Sequence, residues 1–188
     1  MKIRTCLLVV AAVLVAACGE AAESSATAPV TEWENISAGS IQADDAIPAP
    51  KDEPILEISG MISKPNASDV ISIDLRTLEQ MPQVKLRAFE PFEEREITFE
   101  GVLMSDLMAI AGADPNATEA HFTALDDYEI DIPVEEFTRT DVLLATKAEG
   151  EHMSIEDGGP TRIIFPADSE MGENSDAWIW NVETIVVR

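Results

Sequence analysis

The chain has 188 residues with 36 Asp and Glu against 12 Lys and Arg, a formal net charge of −24 at pH 7. A field of that sign repels nucleic acid and anionic headgroups, and the cations needed to neutralise phosphates are scarce, so nucleic acid is excluded as a partner. So much acid reads first as a solubility device in an extracytoplasmic or salty setting, not as a cation-binding one.

The N-terminus begins Met1-Lys2-Ile3-Arg4, continues as an apolar run from Leu7 to Val15, and reaches Val15-Ala16-Ala17-Cys18-Gly19. A basic start, a short apolar core and small residues before a cut make a secretory signal over residues 1–17. The run falls short of the roughly 20 apolar residues that span a bilayer. Its Val-Ala-Ala-Cys ending resembles the lipobox of bacterial lipoproteins. That resemblance implies cleavage after Ala17, lipid on the Cys18 sulfur, and a bacterial cell-envelope address on the periplasmic face, membrane-anchored through that lipid. Gly19 in place of Asp resembles lipoproteins sent to the outer membrane. Cys6 leaves with the signal and Cys18 is capped, so no thiol remains for a disulfide, a metal or a nucleophile.

From Gly19 to Glu53 the chain is rich in Ala, Ser, Glu, Asp and Pro and has no apolar periodicity. Residues 18–53 therefore read as a lipidated cysteine followed by a disordered acidic tether, with Trp33 and Ile36 as a weakly sticky motif inside it. Residues 54–188 change to alternating and clustered apolar residues and suffice for one core.

Within that part Leu56 to Gly60 alternates as a half-buried strand, Lys64-Pro65-Asn66 turns, and Val70 to Ile73 is a second strand. Asp74 is placed to cap a short helix carrying Leu75, Leu78 and Met81, which Pro82 stops. Val84, Leu86 and Ala88 alternate, as do Ile97 and Phe99. Gly101-Val102-Leu103 leads into a helix through Ala111 closed by Gly112. Strands follow at His121 to Leu125, Tyr128 to Ile132, Val142 to Thr146 and Arg162 to Phe165, with a helical turn begun at Pro133 and anchored by Phe137. Asp157-Gly158-Gly159-Pro160 forces a tight turn. The last strand is expected from Ala177 to Val187, the longest of all, with Trp178, Trp180 and Val182 on one face and a bulge near Glu183 or Thr184. Strands outnumber helices, which makes the class α+β, mainly β with short helices.

Four stretches then carry a family resemblance: Ile58-Ser59-Gly60-Met61-Ile62 with Pro65; Leu75 through Pro82; Phe99 through Met108 with Ala111-Gly112-Ala113; and Asp157 through Pro166 with the Trp-bearing C-terminal segment. In this order they resemble the oxidoreductase molybdopterin-binding domain, the fold shared by sulfite oxidase, plant nitrate reductase and bacterial methionine sulfoxide reductase catalytic subunits. The resemblance implies a molybdenum held by a cysteine thiolate just ahead of the Gly-Val-x-Leu motif, and cationic donors for the pterin phosphate. The equivalent stretch here, Phe89 to Glu96, holds no Cys, Gly or Trp, and Gly172 to Trp178 offers acids where cations are wanted. The fold is therefore expected to be retained without its cofactor, and no catalytic residue or metal ligand is assigned. The alternative is a molybdopterin-dependent oxidoreductase with an atypical, non-cysteine metal site, and the choice between enzyme and non-enzyme stays open.

His121 and His152 fit no zinc spacing. Asp127, Glu129 and Asp131 lack the glycine and loop of a calcium site and read as a solvated face. Among so few cations Arg87, Arg95, Arg162 and Lys147 stand out. Arginines converging with Trp178 or Trp180 would bind a small anionic or aromatic ligand, and surface pairing with neighbouring acids is the plainer outcome. The expected partners are the membrane, through Cys18, and such a ligand or an envelope protein.

Overall fold

The computed structural model describes residues 32–188; the signal peptide 1–17 and Cys18 lie outside them. In chain order the elements are β1 (Glu32–Ser37), β2 (Pro54–Gly60), β3 (Ile71–Asp74), α1 (Leu75–Leu78), β4 (Gln83–Glu90), β5 (Arg95–Leu103), α2 (Met104–Ala111), β6 (Glu119–Ala124), β7 (Glu129–Pro133), α3 (Val134–Arg139), β8 (Leu143–Ala148), β9 (Glu151–His152), β10 (Arg162–Ile164) and β11 (Val182–Val187). The class is α+β and mainly β, as the patterning predicts.

The strands form two sheets. One runs β1-β4-β5-β8-β10, with β9 also on β8, and every pairing in it is antiparallel. The other runs β3-β2-β11-β6-β7, with β2 and β11 parallel and the rest antiparallel. Alternation dictates what each strand buries: Leu56 and Ile58 on β2, Val84, Leu86 and Ala88 on β4, and Ala120, Phe122 and Ala124 on β6 all enter one continuous core. The two sheets are stitched together where β10 meets the segment before β11: Ile163 donates its N–H to the Ile179 carbonyl (3.0 Å), and Val182 donates to Thr161 (3.0 Å).

Local chemistry sets the element ends. Asp74 caps α1 by accepting the Thr77 N–H at 2.7 Å, and its other oxygen accepts the N–H groups of Lys51 and Asp52 at 2.7 and 3.0 Å. Burial alone would raise the Asp74 carboxyl, but these hydrogen bonds outweigh it and hold the group far below the usual carboxylate range. Gly112 closes α2 in the left-handed conformation, φ 65°. Gly101 lies where β5 crosses β8, and a Cβ there would collide with the Leu144 carbonyl and the Ala145 Cα. The glycine of the Gly-Val-x-Leu motif is thus a packing requirement between two strands.

Two sequence expectations are corrected. The fold does not begin at residue 54: β1 pairs with β4 inside the stretch read as tether, and Ile41 and Ile47 are buried. The last strand does not begin at Ala177. Residues Ser175–Ala177 form a 3₁₀ turn, residues 178–181 are irregular, and Asn181 sits at φ 51° before β11 starts. β5, with nine residues, is the longest strand. The expected bulge is present, as a register shift between Val182 and Thr184 against β6.

Candidate functional site

The site is built where the ends of β4 and β10 meet the irregular segment before β11. On β4 the inward positions are Val84, Leu86, Ala88 and then Glu90, so strand alternation carries a carboxylate into the core. Arg162 opens β10, a strand buried along its whole length. The two meet at 2.7 Å, with Glu90 0% and Arg162 2% exposed. The second Glu90 oxygen accepts the Glu93 N–H at 2.5 Å, which folds the 91–94 turn back over the pair. Burial pushes the Arg162 guanidinium below its ordinary range, and Glu90 opposes that shift.

Aromatic rings enclose this ion pair. The Arg162 guanidinium carbon lies 4.4 Å from the Trp180 ring centroid and 5.3 Å from that of Phe99. Phe92, from the 91–94 turn, meets Trp180 edge-on at 5.6 Å. Gly158 leaves room for the indole, since a Cβ there would lie 2.9 Å from it. Among the described residues Arg162 Nε and Trp180 Nε1 are buried without a hydrogen-bond partner.

Outside the pair lies a cavity of about 370 Å³ walled by Phe92, Tyr128, Trp178 and Trp180, with Asp126 and Asp176 on its lining. The Tyr128 hydroxyl donates to the Asp176 carbonyl (2.9 Å), tying the β6–β7 turn to the 3₁₀ turn. Trp178 packs on Phe165 at 5.9 Å and donates its indole N–H to the Gly172 carbonyl at 2.9 Å. Asn181 borders the cavity and donates to the Ile155 carbonyl (2.9 Å) and to that of Gly159. Beyond it opens a larger cavity of about 680 Å³, whose lining includes the exposed Leu125 and Ile155.

The structure divides the residues nominated from sequence. Arg162 and Trp180 are in contact, and Trp178 shares the cavity with Trp180. Arg87 and Arg95 do not converge with them: Arg87 pairs with Glu96 (3.5 Å), and Arg95 pairs with Glu93 (2.7 Å) and reaches Glu149 (3.9 Å), all on the exposed surface. Lys147 and His152 share Glu79 at 3.0 and 2.8 Å. His121 sits 2.6 Å from Asp131 across β6 and β7. Among the described residues no group of three metal-ligating side chains assembles. Sequence reasoning missed Glu90, Phe92 and Tyr128. For Glu90 the signal was available: it falls two residues after Ala88 in an alternating run.

The model of the oxidoreductase molybdopterin binding domain matches residues 46–185, and the chain belongs to that family. Among solved structures it is similar to the sulfane dehydrogenase SoxCD of Paracoccus pantotrophus, at TM-score 0.57 and 21% identity over 70% of this chain. The match spans 37% of the SoxCD chain, so the likeness is one of fold. No curated protein matches the sequence.

Molybdopterin, the family's cofactor, can be tested against the residues present. The described residues include no cysteine, so none of them offers the metal a thiolate. In the stretch expected to carry that thiolate, Glu90 is a hard carboxylate with both oxygens engaged. Arg162, the one arginine at the site, is committed to Glu90, and the cavity lining carries Asp126 and Asp176, which repel a phosphate. The donor set does not fit a thiolate-held molybdenum or a pterin phosphate.

Proposed function

We propose that this protein is a lipid-anchored envelope protein, held through Cys18, in which the molybdopterin-domain fold serves as a non-catalytic binding module. The observation that carries the reading is the Glu90–Arg162 pair: the segment where the family resemblance expects the metal ligand instead closes the fold with a buried ion pair, sealed by Phe92 and Trp180. What stays open is the aromatic cavity beside it, whose volume falls within the ~300–1,000 Å³ range of small-molecule pockets. Four of the large apolar side chains that remain exposed, Phe92, Leu125, Tyr128 and Ile155, lie on this cavity and its neighbour. Exposed apolar surface gathered around concave sites supports binding over a purely structural role.

The test is the molybdenum content and electronic absorption of the full-length chain, extracted in detergent from cells that make molybdopterin. Molybdenum far below one atom per chain and no charge-transfer band are expected. Stoichiometric metal would overturn the reading in favour of an oxidoreductase with a non-cysteine site. Replacing Cys18 with Ala should move the protein from the membrane to the aqueous fraction, and an unchanged membrane fraction would remove the lipoprotein assignment.

A further inference from the structure

The scarce arginines suggest an anionic ligand, but the folded site has the opposite character. Arg87 and Arg95 face elsewhere, and Arg162 is neutralised by Glu90 behind the Trp180 ring. The cavity presents aromatic side chains from three separate stretches of chain: Phe92 from the β4–β5 turn, Tyr128 from the β6–β7 turn, and Trp178 with Trp180 from the segment before β11. Two acidic residues, Asp126 and Asp176, share the lining. The Asp126 carboxylate accepts the Tyr128 N–H at 3.1 Å, and neither Asp126 nor Asp176 forms an ion pair among the described residues. Phe92 and Tyr128 remain 55% and 42% exposed although both are large and apolar.

Aromatic faces carry negative electrostatic potential and attract cations, the more so when the cation is poorly hydrated, as an alkylated ammonium is. Carboxylates beside such faces reinforce the preference, whereas they penalise an anion. Trp180 already holds one cation, Arg162, over its ring on the buried side. Resting on the reading of this cavity as a ligand site, we propose that it binds a small organic cation, of the quaternary or methylated ammonium class, between Phe92, Tyr128, Trp178 and Trp180 with Asp126 and Asp176 supplying the counter-charge.

The probes are choline, its uncharged isostere 3,3-dimethyl-1-butanol, and benzoate, titrated into the full-length chain in detergent and followed by tryptophan fluorescence and calorimetry. Choline is expected to bind at least tenfold more tightly than the isostere, and benzoate not at all. The Asp126→Asn/Asp176→Asn double variant, altered only at exposed carboxylates, should keep its circular dichroism spectrum and lose at least tenfold in choline affinity. Tyr128→Leu provides a second, independent reduction. Equal binding of choline and its isostere, tighter binding of benzoate, or no choline binding would each overturn the proposal. None of these bears on the molybdenum content, so failure here is separable from failure of the binding-module reading.

Discussion

Breaking the Glu90–Arg162 pair one partner at a time gives the sharpest test of the buried ion pair. Both side chains are withdrawn from water, and the 2.7 Å contact is the guanidinium's one hydrogen bond among the described residues. Glu90→Gln keeps the shape and an acceptor for the Glu93 N–H but leaves the arginine charge buried without its counter-ion. Losses of this kind run to about 3–5 kcal/mol, a large part of the ~5–15 kcal/mol that holds a domain together. Arg162→Met strands the carboxylate instead, removes the packing on Trp180 and Phe99, and should cost a similar amount. Combined, the two changes leave no lone charge, so the double variant should be more stable than the sum predicts, by about 2–3 kcal/mol of coupling. Urea unfolding of the full-length chain, wild type and three variants at one pH, measures all four corners. Additivity within about 0.5 kcal/mol, or single losses near those of a surface pair, would refute the account of this site as a closed electrostatic lock.

Asp74 and Glu136 titrate low in the folded chain because hydrogen bonds overcome their burial: for Glu136 these come from the Ser169 hydroxyl, Arg139 and Thr140. Their free values are about 3.9 and 4.3, so the unfolded chain takes up protons first as pH falls. The stability they contribute is whole above those values and is lost as pH drops through the lower folded ones. Acidification also relieves the repulsion of a strongly negative chain, so the informative measurement is the gap between wild type and Asp74→Asn. It should be about 1–2 kcal/mol at pH 7 and shrink towards pH 2; a constant gap would contradict the assignment. Gly101→Ala should cost several kcal/mol in urea unfolding, because the added methyl meets backbone on β8; a loss below about 1 kcal/mol would mean that the strands part easily. Arg95→Ala, at an exposed pair, should shift the same transition by less than about 1 kcal/mol, and a larger loss would reveal a structural role.

Strands whose inner face is apolar were legible without a structure, because alternation and burial are two views of the same period. β2, β4 and β6 and the capping role of Asp74 follow from residues a few positions apart. What escaped depends on partners far along the chain. Glu90 and Arg162 are 72 positions apart, and nothing local tells a buried arginine from a surface one. β1 escaped for a different reason: its described side chains are exposed, so it has no apolar face to announce it, and backbone pairing with β4 defines it. Trp178 and Trp180 alternate as strand residues would, yet one turns to Phe165 and the other to Arg162 and Phe92, and the backbone between them leaves the extended form.

The early start of the fold sets a leash length. With lipid on Cys18, the chain to the first residue of β1 covers 14 peptide steps, and covalent geometry limits it to about 50 Å at full stretch. A tether running to residue 53 would reach more than twice as far. Under the proposed lipidation the domain would be held in a thin layer over its leaflet, and a ligand of the proposed cavity would be met close to the membrane surface.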